Sequence, residues 1–319
     1  MTSAPLEITF SLPSIAPCEH LAGNEKFAKK AFALQGKHLS PVGRSLVDVT
    51  LDLEDGAPVG QEEQLRSTFV AAIHSPENAF RQVGVRVHAP QSSELSRDLE
   101  MIVGKCGADI SYITVPKVRS VQEVLWIHGV TKHYLRSSGI AKDVPLHLLV
   151  ETPEALQCLD ALAALPFVES LDFGLMDFIS HLGGAVPADC MQSPGQFEHK
   201  IVAAVKSRIA LAALSAGKIP THNVTVDVKN SETAYADAYR ARHEFGFMRM
   251  WSIHPEQIES IVRAMTPSHE EIDEAREIIA AARAANWGPI QLNGRLHDRA
   301  SFRHYWGVLS RAGEVSGQP

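Results

Sequence analysis

Charged residues recur at the ends of short apolar runs in this chain, and their types suggest chemistry before any fold is considered. The run LVDVTLDL closes with Asp52 and is followed by Glu54 and Asp55. VGVRVH carries Arg86 and ends at His88, ISYITVP is followed by Lys117, and PLHLLVE ends in Glu151. VESLDFG leads to Asp177, and FMRMWSI leads through Ser252 to His254. Glu151 and Asp177 belong to consecutive runs. Two hard carboxylates with little nitrogen or sulfur nearby suit Mg²⁺ or Mn²⁺, with waters and substrate oxygens completing an octahedron. Such an ion would polarise a 2-oxo acid as a Lewis acid; alternatively, the two carboxyls share one proton and act as general acid and base. Arg86 can fork onto a carboxylate or an enolate oxygen. Lys117 reads as a Schiff-base nucleophile if desolvated, or, more commonly for such a residue, as the partner of Glu54 or Asp55.

To bring these residues together, the runs must be strands of one sheet. Eight are expected, near 6–12, 46–53, 83–88, 110–116, 145–151, 168–174, 222–228 and 247–253. They recur about every 30–35 residues, the size of a βαβ unit, and their near-continuous apolarity suits a sheet covered on both faces. Between them, 61–74 places Leu65, Phe69, Ala72 and Ile73 on one helical stripe, and 93–105 does the same with Leu95, Leu99, Ile102 and Val103. Ser120 with Glu123 forms a capping box, and Thr152 before Pro153 reads as an N-cap and first-turn proline. Strands alternating with helices predict an α/β fold, a closed (β/α)₈ TIM barrel over residues 1–267, with the charged strand ends on its C-terminal rim. The glycine-rich phosphate loop of an open dinucleotide-binding sheet is missing after the first run. From 268 to 319 the pattern becomes a C-terminal helical appendage: a helix capped by Ser268 and Glu271, a turn or hairpin in WGPIQLNGRLHD, and a last helix through Arg311.

Composition narrows the class. With 319 residues, 45% hydrophobic and 21% charged, the chain is far from the composition of disorder. A net charge of −7 without basic clusters argues against a nucleic-acid partner. The four cysteines are widely spaced with no CxxC, which fits a reducing compartment. The 15 histidines form no HExxH, so no zinc site is expected. No run of about 18 apolar residues suggests a membrane span, and MTSAPLEITFSLPS lacks a signal peptide's pattern. The expectation is a cytoplasmic enzyme with no membrane partner.

Lined up in order, LDLEDGAP (51–58), VRVHAP (85–90), VPKV (115–118), LLVETPEAL (148–156), DFGLMDF (172–178), WSIHPEQI (251–258) and NGRLHDR (293–299) resemble the HpcH/HpaI aldolase and citrate lyase β-subunit family, in its CitE-like branch. That resemblance implies a Mg²⁺-binding TIM barrel that cleaves citryl-CoA- or malyl-CoA-like thioesters to acetyl-CoA and a 2-oxo acid. It implies Glu151 and Asp177 as metal ligands and Arg86 as stabiliser of the oxo acid and enolate. Asp52 and Glu54 would order the metal's water shell. Asp298 would transfer a proton to the enolate carbon from a C-terminal segment reaching a neighbouring subunit, in a homo-oligomer, a trimer or a pair of trimers. The sequence departs from the family pattern in several places. TFSLPSIAP has no arginine near the first strand, His88 stands where asparagine is usual, and IPTHNVTV lacks a customary aspartate. The C-terminal motif carries Arg295, His297 and Ala300. Four readings stay open: a CoA-thioester lyase, a metal-dependent aldolase on free 2-oxo acids, a Schiff-base lyase through Lys117, and a non-catalytic or carrier-dependent subunit.

Overall fold

The computed structural model describes residues 6–8, 12–57, 60–228 and 230–317. Eight parallel strands close into a barrel in sequence order: β1 Cys18–Ala22, β2 Val47–Asp52, β3 Val83–Arg86, β4 Ile113–Val115, β5 Leu146–Val150, β6 Val168–Phe173, β7 Ile219–His222 and β8 Arg249–Ser252. β1 pairs with β8 through Cys18 to Met250, Glu19 to Trp251 and His20 to Ser252, which closes the circle. Helices follow the strands and cover the outside, as in a (β/α)₈ TIM barrel. No helix among the described residues is long and apolar enough to cross a membrane.

Two strands lie away from their expected positions. The first is not in 6–12, of which 9–11 fall outside the described residues. It is CEHLA, whose Glu19 and His20 disguise it in an apolarity search, while Leu6 packs with Ala275, Ile278 and Phe302 in a separate small core. The seventh is Ile219–His222, not 222–228. The strand takes in Pro220, and after His222 the alternating NVTVDV is a loop that leaves Val226 and Val228 exposed.

The helix signals were carried by real contacts. Helix Glu62–His74 buries Leu65, Phe69, Ala72 and Ile73. In 95–106 the helix runs through a π-turn at Leu99–Val103, and Leu95, Leu99, Ile102 and Val103 are all buried. Ser120 and Glu123 make both hydrogen bonds of the capping box. Thr152 caps helix Pro153–Gln157 through the Ala155 N–H.

Outward-facing side chains of the strands form the main apolar core against the helices, with Val49, Leu51, Val83, Val85, Ile113, Val115, Leu146, Leu148, Leu171 and Met250 almost fully buried. The barrel's inside is different. Its inward positions are polar and buried: Glu19, Asp48, Thr50, Thr114, His147, Ser170, Asp172, Thr221 and Arg249. Arg249 Nη2 lies 2.9 Å from Glu19 Oε2 and 3.1 Å from Asp48 Oδ2. Thr50 donates to Glu19 Oε1 at 2.5 Å, and Tyr112 stacks on His147 with ring centroids 3.9 Å apart. Tyr112 fits because β3 offers Gly84 opposite it, where a Cβ would meet the ring at 2.1 Å.

The chain divides into two compact units. The larger comprises Ile15–His38 and Ser45–Met265 and contains the whole barrel; the smaller gathers the described residues up to and including Ser14, Leu39–Arg44 and the described residues from Thr266. In the smaller, helix His269–Ala284 begins at the Ser268–Glu271 capping box. β9 Ile290–Leu292 and β10 Arg295–His297 form an antiparallel hairpin. Its turn is Asn293-Gly294, with φ of 51° and 75°, the Asn-Gly pair that positive φ at two successive positions favours. Helix Arg299–Arg311 completes a core of Leu6, Ala275, Ile278, Ile279, Ala282, Phe302, Trp306 and Leu309.

Candidate active site

The C-terminal ends of β2, β3, β4, β5 and β6 converge on one charged group. Arg86, at the end of β3, is clamped by Asp52 at the end of β2: Nε donates to Oδ1 at 2.7 Å and Nη2 to Oδ2 at 2.6 Å. Its Nη1 lies 3.3 Å from Glu54 Oε2. Asp52 also accepts the N–H groups of Glu54 and Gly56, so one carboxylate fixes both the turn after β2 and the guanidinium. Gly56 is required there, since a Cβ would lie 2.2 Å from Asp52 Oδ2. Burial works against the Arg86 charge, but Asp52, then Glu54 and Glu151, outweigh it and hold the guanidinium protonated.

Lys117, just beyond β4, links the two sides of the group. Its backbone N–H donates to Glu151 Oε1 at 2.7 Å. Its Nζ donates to Glu54 Oε1 at 2.5 Å and Asp55 Oδ2 at 2.7 Å, and lies 3.8 Å from Asp177 Oδ1. It does this with φ of +51°, a left-handed backbone that costs a non-glycine residue about 1 kcal/mol or more. Partial burial opposes the ammonium, yet the hydrogen bonds to Asp55 and Glu54 hold its pKa above that of an ordinary lysine. A Schiff-base nucleophile needs the opposite, a neutral amine.

Glu151 is 2% exposed. Burial, and then the charge of Asp177, push its carboxyl up to about 8. Gly174, between β6 and the helix Leu175–His181, makes room for it: a Cβ there would sit 2.1 Å from Glu151 Oε2. Asp177 occupies the first turn of that helix and is one-third exposed (side chain 34%). Two carboxylates thus converge, one buried and one open to solvent, and the charge of Asp177 disfavours ionisation of Glu151. The oxygen-only donor pair and the glycine-cleared space beside Glu151 fit a hard divalent ion with open positions for water or substrate.

Other polar residues at the strand ends are tied elsewhere. His88 donates its backbone N–H to Asp98 Oδ2, and its Nδ1 lies 2.7 Å from the same oxygen; Asp98 in turn accepts from Arg66. Ser252 points out of the barrel to His20 and to the His254 carbonyl. His254 Nδ1 accepts the N–H of Glu256 at 3.4 Å. Asp298 lies in the smaller unit as N-cap of helix Arg299–Arg311, its Oδ1 accepting from Ala300 and Ser301. Inside the barrel, ligand-type atoms of Glu19, His147 and Asp172 lie within 4.8 Å of one another, but the Arg249 guanidinium already supplies the positive charge between Glu19 and Asp48.

The sequence reading passed over Gly174 and Trp251 as single residues. Trp251 points inward from β8, its Nε1 donating to Asp172 Oδ2 at 3.3 Å, and the Arg86 guanidinium carbon lies 5.9 Å from its ring. The parity of β8, on which Arg249 also points inward, would have found it.

Known proteins are similar to this one over most of the chain. A citrate lyase structure from Burkholderia xenovorans is 44% identical, covers 99% of this chain and 98% of its own, and superposes with a TM-score of 0.87. The structure of CitE from Mycobacterium tuberculosis, in complex with magnesium, acetoacetate and coenzyme A, is 26% identical, covers 94% and 99%, and gives a TM-score of 0.71. The L-malyl-CoA/β-methylmalyl-CoA lyase of Cereibacter sphaeroides is 26% identical over 84% of this chain and 88% of its own. The HpcH/HpaI aldolase/citrate lyase model matches residues 41–255, and the chain belongs to that family.

Proposed function

We propose that this protein is a Mg²⁺-dependent carbon–carbon lyase that cleaves, or forms, a 3-hydroxyacyl-CoA-type carboxylate by way of a 2-oxo acid and an acyl enolate. The observation that carries this is the Glu151–Asp177 pair, with its buried, raised carboxyl and the space that Gly174 clears. The relatives' names supply the substrate class: malyl-CoA for one, and magnesium with coenzyme A and acetoacetate for another. Magnesium held by Glu151 and Asp177 would supply positive charge to a 2-oxo acid's carbonyl and carboxylate oxygens.

The chain's residues account for the rest. Arg86 offers a guanidinium with five N–H donors, and its three contacts to Asp52 and Glu54 leave donors for an anionic oxygen. Held in this way, it loses no orientation when charge develops on the enolate. Lys117 holds Glu54 and Asp55 through its ammonium and Glu151 through its N–H, so it positions the acidic side of the site. In the cleavage direction a carboxylate of the site takes the carbinol hydroxyl's proton as the carbon–carbon bond breaks. The electron pair moves onto the thioester as an enolate, whose carbon takes up a proton. The family resemblance assigns that last transfer to Asp298, in an assembly of several copies of the chain.

The test is calorimetric titration of chelator-stripped protein with oxaloacetate, glyoxylate and pyruvate, each with and without Mg²⁺, followed by thioester cleavage assays. Binding only with Mg²⁺ is expected. Binding without metal, together with borohydride trapping, would replace this reading with a Schiff-base one.

A further inference from the structure

Trp251 stands where the barrel interior meets the rim. Being inward on β8, its indole reaches β6 on one side, through Nε1 to Asp172 Oδ2 at 3.3 Å, and β3 on the other, with Arg86 5.9 Å from the ring centre. β7 lies between β8 and β6, and β1 and β2 lie between β8 and β3 in the closed order, so the ring spans the barrel. The buried Arg249 precedes it as the inward residue of β8 and pairs with Glu19, while Arg86, which the ring faces, belongs to the strand-end group with Asp52 and Glu54. The side chain is 4% exposed. Its one polar atom is used on Asp172, so the ring remains as an apolar surface beside Arg86. A carboxylate that reaches Arg86 from the open end therefore lies against the indole.

We infer that Trp251 is the floor of the oxo-acid pocket and sets how long an oxo-acid side chain the site accepts, with Asp172 as the residue that holds the ring in place. The inference rests on the proposed function, because it takes the ligand to be a 2-oxo acid. A large, fixed ring makes the pocket shallow and favours short acids. Replacing it by a smaller apolar group opens depth, and one methylene accommodated or refused in such a pocket is worth about tenfold or more.

The experiment is calorimetric titration of glyoxylate, pyruvate and 2-oxobutanoate, with Mg²⁺ present, into wild type, Trp251→Leu, Trp251→Phe and Asp172→Asn. For Trp251→Leu, the affinity ratio of 2-oxobutanoate to glyoxylate should rise by about tenfold. Trp251→Phe should move it less, in the same direction, and decides the matter if the leucine variant does not fold. Asp172→Asn replaces the charged acceptor of the indole N–H by a neutral one and should move the ratio in the same direction as Trp251→Phe, by less; an unmoved ratio would remove Asp172 from the inference. If both Trp251 variants bind all three acids more weakly by a common factor, the ring is only structural and the inference is overturned. If wild type binds none of the acids with Mg²⁺, the proposed function falls and takes this inference with it.

Discussion

In the proposed function Glu151 is the residue on which the chemistry turns, and its burial makes a sign-definite prediction. In the folded chain without metal its carboxyl holds a proton up to about pH 8, whereas its ordinary value is 4.5. Between those values the native state binds more protons than the unfolded state, so this group makes stability fall as pH rises through that window. Divalent metal reverses the preference by favouring the carboxylate. Metal-free wild type should therefore lose thermal stability from pH 5 to pH 8 relative to Glu151→Gln, and the variant should show no Mg²⁺ response. A wild type and variant with parallel stability–pH curves would refute the raised carboxyl. Asp177→Ala tests the other proposed ligand. Because Asp177 is one-third exposed, the variant should stay within about 0.5 kcal/mol of wild-type stability while losing Mg²⁺-dependent oxo-acid binding. Urea unfolding and calorimetry check the two halves of that statement. These two carboxylates were legible in the sequence because they interrupt apolar runs. The left-handed backbone of Lys117 was not, since a lysine carries no signal for positive φ as glycine does.

At the scale of elements, the strand ends and the short turns after them do the positioning, and glycines set their tolerances. Gly174→Ala places a methyl 2.1 Å from Glu151 Oε2, so either the carboxylate or the β6 turn must move. Mg²⁺ affinity should drop by at least about tenfold, the scale on which displaced ligands are felt. An unchanged isotherm would show that Glu151 does not use that space. Asp298 separates a helix cap from chemistry. Its Oδ1 caps helix Arg299–Arg311, so Asp298→Ala should cost about 1 kcal/mol, whereas asparagine caps equally well. Asp298→Asn should then keep the melting temperature and lose turnover by about 10²-fold or more if Asp298 moves a proton; full turnover would remove it from the mechanism. Six of the eight strands and the capped helices could be read from the sequence because their outward faces are apolar and their caps are local. β1 and β7 could not. Glu19 and His20 break the apolar pattern of β1, the first facing the barrel's polar interior and the second bonded to Ser252 outside it, and Pro220 sits inside β7.

For the whole molecule, the division into two compact units has a thermodynamic consequence. The barrel's core and the core around Ile278, Phe302 and Trp306 are built from different residues, and both carboxylates of the pair, Glu151 and Asp177, belong to the barrel unit. A ligand that binds only the native state stabilises what it binds by RT ln(1 + [L]/Kd), about 2.7 kcal/mol at a hundredfold excess over Kd. Scanning calorimetry of the chelator-stripped chain, repeated with saturating Mg²⁺, should show the barrel's transition moving upward by several degrees. A transition belonging to the smaller unit, where it is separate, should stay in place, and Asp177→Ala should abolish the shift. Were Mg²⁺ to move only the smaller unit's transition, the metal would lie outside the barrel and the assignment of Glu151 and Asp177 would be wrong. Were both to move together, unfolding of the two units would be coupled, and the metal's stabilisation would be shared by residues that never touch it.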